Sequence, residues 1–231
     1  MVDKKITEAI VDKLKTKSAA KFKAYDNTLI ALNWVKDIIK EITDNCNCDL
    51  EGEDKRILLT NLNQGKYETE LQIADELLIF NMHSNIFEFD RDHQIWKLSY
   101  LKEDNLRSYC GVINIYNFLA DSFKHNRLED LGYLVARIFI NNDMHFFVEG
   151  KRQLGFLYNN FGTDTLTKDK MEQVIASALK YTLEFDLLVP QYDTVKIANV
   201  AQINEKIETS KIATGKRLGY KFLADDVSNG K

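Results

Sequence analysis

Residues 131–150 read LGYLVARIFINNDMHFFVEG, two apolar runs separated by Asn141-Asn142-Asp143. Asn and Asp tolerate positive φ and hydrogen-bond their own backbone, so the spacing predicts an antiparallel hairpin, Leu131–Ile140 against His145–Gly150. If Asn142 and Asp143 are the two turn residues, Ala136 lies opposite Glu149. Everything around this hairpin has to supply the rest of a sheet and the layer that covers it.

On the N-terminal side, residues 110–124 (CGVINIYNFLADSFK) place Val112, Ile115, Tyr116, Leu119 and Phe123 at helical spacing, against a β-branched content that favours a strand. The spacing predicts a helix. Ahead of it, Ile57–Leu62, Glu70–Ala74 and Leu77–Asp90 are short strand-like runs. Asp90-Arg91-Asp92-His93 then predicts a tight turn and Gln94–Leu101 a return strand, with Phe87 facing Trp96, Asn85 facing Leu98, and His83 on the apolar face. The chain starts with two amphipathic helices, over residues 3–16 and 19–44, followed by a polar loop from Asp44 to Lys55.

On the C-terminal side, Leu154–Tyr158 predicts one more strand. Thr167 predicts a helix cap, with Met171, Val174, Ile175, Ala178, Leu179 and Thr182 on one buried stripe. A weak helical pattern from Ile197 fades into a basic tail. Strand runs with helices segregated around them, and no βαβ rhythm or Gly-rich nucleotide loop, indicate an α+β fold. It is an antiparallel sheet with two leading helices and a packed C-terminal helix. The divisions expected are an N-terminal helical pair (1–45), an α+β core (56–190) and a C-terminal helix and tail (191–231), together forming one compact unit.

Composition narrows the function classes. Apolar residues make up 45% and charged residues 29% of 231, the balance of a folded globular chain. A net charge of −4 creates no overall field toward nucleic acid or membrane. No signal peptide and no run of about 18 apolar residues is present, so the expectation is a cytoplasmic protein with no membrane partner. Three cysteines agree with a reducing compartment. Cys46 and Cys48 form a C-x-C pair that reads as a polar helix end, because a metal site needs three or four ligands.

The hairpin ends on Glu149-Gly150-Lys151. In metal-dependent nucleases with an acid-x-lysine element, both side chains project from one strand face. The carboxylate holds a divalent ion and the lysine stabilises charge at the phosphate or water. Such a site needs a second carboxylate: Asp143 and Asp130 are each about 20 Å away along the strands, leaving Glu88 or Asp90 from another strand. The competing reading is a charged pair reaching water. A second candidate is the basic, aromatic character shared by Lys151, Arg152 and the later Lys216, Arg217 and Tyr220, which suits phosphate contact with base stacking. His83, His93 and His145 do not group with a nucleophile or a metal-ligand set, and no cofactor motif is present.

The segment VARIFINNDMHFFVEGKRQLGFLYNNFGTDTLTKDKMEQVIASAL, residues 135–179, resembles the second half of small α+β domains of the type III secretion chaperone-like superfamily. LLIFNMHSNIFEFDRDHQIWKLSYL is similar to their first strand group, so the resemblance spans residues 70–186. It lies in the order of strand, polar turn, strand, short strand and Thr-initiated helix. It implies a non-enzymatic module that binds another protein, often as a dimer, and needs no cofactor. Two functional classes therefore stand side by side, a binding module and a metal-dependent nuclease built on Glu149 and Lys151.

Overall fold

A computed structural model describes residues 4–128, 130–151 and 154–184. Six strands form one antiparallel sheet in strict sequence order: β1 (Leu59–Leu62), β2 (Glu68–Ile73), β3 (Glu76–Met82), β4 (Cys110–Leu119), β5 (Tyr133–Asn141) and β6 (Phe146–Gly150). Before the sheet come α1 (Lys4–Lys13), a π-helical turn at Leu14–Ser18 and α2 (Ala19–Asp49); after it come α5 (Leu154–Leu157) and α6 (Lys168–Leu183). The α+β class and the packed C-terminal helix agree with the sequence, but the two leading helices run as one, since Lys13, Ser18 and Ala19 around the π-helical turn are all right-handed helical, and residues 44–49, expected to open a loop, are still part of α2.

Helix α2 lies across one face of the sheet. Its buried residues, including Ala24, Thr28, Ala31, Leu32, Val35 and Ile39, recur every three or four positions and make the stripe that meets β1–β5. Small residues set how close it comes. A Cβ at Gly111 in β4 would lie 2.0 Å from Thr28 Oγ1, so this contact exists only because position 111 has no side chain. Thr167 caps α6 by accepting from the Lys170 amide, and the stripe expected of that helix is the one buried. Leu71, Phe80, Ile113, Ile138 and Val148 of the sheet join both helices in one core.

The opposite face is covered in part by the segment between β3 and β4. Here the sequence expectation fails: residues 94–101 are not a return strand but a short 3-10 turn (Gln94–Lys97) leading into α3 (Ser99–Glu103). Phe87 pairs with Cys110, not with Trp96. His93 and Asp104 cap successive turns through their side chains, and Ile95, Leu101 and Phe89 fold down onto Val112, Phe139 and Phe147. His83 is exposed, its ring beside Phe87. The real partner of β3 is the segment expected to be helical, β4, which becomes helix only at α4 (Ala120–Lys124). Both faces of the start of β4 are buried, so its apolar residues are continuous and imitate a helical period.

The β5–β6 hairpin forms as expected, with a register one residue different. Met144, not an Asn or Asp, takes the left-handed conformation (φ 62°), and the loop has three residues between Asn141 and His145. Glu149 therefore faces Arg137 and not Ala136. The segment expected as a further strand at 154–158 is instead α5, folded against the end of β6.

Both sheet edges are partly occupied. On β1, the Asn47 amide donates to the Leu59 carbonyl and accepts from its N–H, each at 2.9 Å. On β6, the Phe146 and Val148 amides donate to the carbonyls of Asp164 and Tyr158.

Candidate functional site

Strand β6 ends at Gly150, and its last residues open onto two separate clefts. The larger, of about 820 Å³, lies between β6 and the 92–98 segment; its floor is Ile95, Phe147 and Phe161, and its rim carries His93, Glu149 and Asn159. The smaller, of about 350 Å³, lies between α5 and α6 and includes Lys151, Lys180 and Glu184.

Glu149 and Lys151 line different clefts, and the reason is backbone geometry. The strand stops between them, and Lys151 follows it in a bend where its amide donates to the Val135 carbonyl. Two residues apart on a continuous strand they would share a face; across a strand end they do not. The central residue of Glu149-Gly150-Lys151 is needed for packing. A Cβ at Gly150 would sit 2.7 Å from the Leu154 Cβ, and one at Gly155 would sit 2.6 Å from the Gly150 carbonyl oxygen. The glycines let α5 turn tightly onto the strand.

The Glu149 carboxylate lies between Arg137 and His93. Its Oε2 accepts from the Arg137 guanidinium directly across the hairpin, and its Oε1 lies 3.8 Å from His93 Nε2. His93 Nδ1 accepts from the Ile95 amide, which leaves Nε2 to carry the ring proton toward the carboxylate. The Arg137 guanidinium also stacks over Phe139. Of the four remaining acidic candidates, Glu88, Asp130 and Asp143 have side chains committed to other groups, and Asp90 is exposed. Glu88 pairs with Arg91 and accepts from the Tyr109 hydroxyl. Asp90 accepts through its backbone carbonyl from the Trp96 indole. Asp130 is buried against Arg127 and Ser122, and Asp143 accepts from Tyr100 and Arg107. Among the described residues no group of three or more His, Cys, Asp or Glu side chains is placed to hold a metal ion. Cys46 and Cys48 lie in the last turn of α2.

Behind the cleft a polar hub fixes the hairpin to the covering segment. Asn141, fully buried, accepts through Oδ1 from the amides of Asp143 and His145 and donates through Nδ2 to Tyr100 Oη and the Arg107 carbonyl. Asn27 of α2 donates to the Asn141 and Asn142 carbonyls. The Tyr100 ring stacks on His145 at 4.4 Å, and burial pushes its phenol pKa up to about 12. The cysteine closest to this region, Cys110, is likewise pushed up by burial.

His93 and Arg137 are the residues that sequence reasoning missed. Arg137 was within reach, because a three-residue hairpin loop brings it opposite Glu149; His93 reaches the cleft through the fold of residues 83–108, for which no local pattern speaks. Arg152, Lys216, Arg217 and Tyr220, the other candidate phosphate contacts, lie outside the described residues. No helix among the described residues is long and apolar enough to cross a membrane. No family model, curated protein or solved structure matches the chain.

Proposed function

We infer that this chain is a non-enzymatic binding module that takes an extended segment of another protein, or a ligand of similar shape, in the cleft beside β6. The observation that carries the reading is the separation of Glu149 from Lys151, with the glutamate held between Arg137 and His93. A carboxylate committed to a guanidinium is a poor base and a poor sole ligand for a divalent ion, and, being satisfied within the protein, it adds little to the affinity of a cleft whose floor is apolar. An apolar floor with a few convergent polar groups is the ordinary composition of such a site. The antiparallel sheet flanked by helices is compatible with a type III secretion chaperone-like module, and on that resemblance the module pairs as a homodimer; a cytoplasmic location rests on the sequence, which shows no signal peptide.

The test uses random dodecamer peptides screened for binding to the full chain. For the tightest peptide, Leu98→Asp at the cleft is expected to weaken affinity by about tenfold or more, and Glu149→Ala to change it by less than about threefold. Mg²⁺-dependent cleavage of nucleic acid by the wild type, lost in Glu149→Ala, would overturn the reading in favour of the nuclease.

A further inference from the structure

Helix α1 buries none of its residues. Ile6, Ile10 and Leu14 are 54%, 53% and 58% exposed and recur at four-residue intervals, and Phe22, 71% exposed, continues the row two steps later. A four-residue row drifts by about 40° per step around a regular α-helix. The π turn at Leu14–Ser18 takes up an extra residue and counteracts that drift, so Phe22 returns toward the side of Ile10 and Leu14. Ala20 and Ala24 are buried against the rest of the protein, on the side of the helix away from Phe22. The apolar row therefore points outward.

Lysines border this row. Lys13 and Lys21 each precede a member of the row by one residue, and Lys15 and Lys23 each follow one. Residues 4–23 hold seven lysines against Glu8 and Asp12, in a chain whose net charge is −4. Some of these groups are engaged: Lys4 lies 3.9 Å from Glu8, Lys23 lies 3.9 Å from Asp143, and Lys17 and Lys21 sit over the Tyr109 ring. A strongly cationic helix end opposes pairing with an identical helix. An exposed apolar row with ammonium groups on both borders matches an interface where apolar side chains enter acyl chains and lysines stay at anionic headgroups.

We propose that the outward face of α1 and the first turn of α2 docks on an anionic lipid surface, lying in the headgroup plane. This contact needs no membrane-crossing helix, and none of the described helices is long and apolar enough to be one.

The test is sedimentation of the full chain with unilamellar phosphatidylcholine vesicles, with and without about 30% phosphatidylserine. Binding is expected only with the anionic lipid, to fall about tenfold or more in Ile10→Asp and in Lys13→Glu/Lys15→Glu, and to be lost in high salt. Circular dichroism should show both variants unfolding at the wild-type midpoint, since all three positions are exposed. Failure of the wild type to sediment with anionic vesicles overturns the proposal. So does sedimentation that both variants leave unchanged, or a dimer seen by ultracentrifugation that Ile10→Asp dissolves while lipid binding is absent, which would assign the row to a second copy.

Discussion

Asn141 ties three parts of the chain together through one amide and one carbonyl: its own hairpin loop, the 100–107 segment and helix α2. Each buried hydrogen bond contributes about 1 kcal/mol, and an orphaned partner costs more. Asn141→Ala is expected to lower stability by about 2–4 kcal/mol in urea unfolding. The neighbouring Asn142 Oδ1 is buried without a hydrogen-bond partner among the described residues, so Asn142→Ala should cost less than about 1 kcal/mol. Tyr100 adds a pH signature. Burial raises its folded pKa to about 12, so the folded state holds the phenolic proton more tightly than the unfolded chain, whose value is about 10. Its contribution is complete below about pH 10 and is lost as pH rises through 12. Stability measured across that range should fall less steeply in Tyr100→Phe than in the wild type.

At the scale of elements, packing distance governs more than propensity does. Gly111→Ala drives a methyl into Thr28, and the overpacking should destabilise by about 1–3 kcal/mol. Adding Thr28→Ala should restore part of that loss, a coupling that a double-mutant cycle would measure. The same logic separates the elements that could be read from the sequence from those that could not. Helix α6 was legible to its individual buried residues, because one face meets the core and the other meets water. The β5–β6 hairpin was legible in its existence and one residue off in register, because Met144 supplies the left-handed turn residue without the Gly or Asn signature. Strand β4 read as a helix because both faces of its first half are covered, which erases the two-residue alternation. Residues 94–101 carry apolar groups that pack on a sheet from outside it, and side chains doing so need no strand of their own.

At the scale of the molecule, the covering segment creates the cleft, and so the site was the least legible part. Glu149 was visible from the hairpin, yet its partner His93 comes from a segment 56 positions earlier whose path depends on caps at His93 and Asp104. Helix α1 stands at the other extreme. Because none of its residues is buried, a chain beginning at Lys15 should unfold within about 0.5 kcal/mol of the full protein.

The partly occupied rims of the sheet bear on how this protein fails when stressed. A meander ends in two outer strands, and an outer strand normally offers its free backbone to a stranger, seeding fibrous growth. Here one asparagine side chain guards the four-residue strand at one rim, while at the other the chain's own next segment is laid alongside. The guard on β1 is the weaker of the two, resting on a single amide. Prolonged heating should therefore recruit new strands at Leu59–Leu62 first, seen as fibre growth that a charge or a proline placed at Asn61 slows.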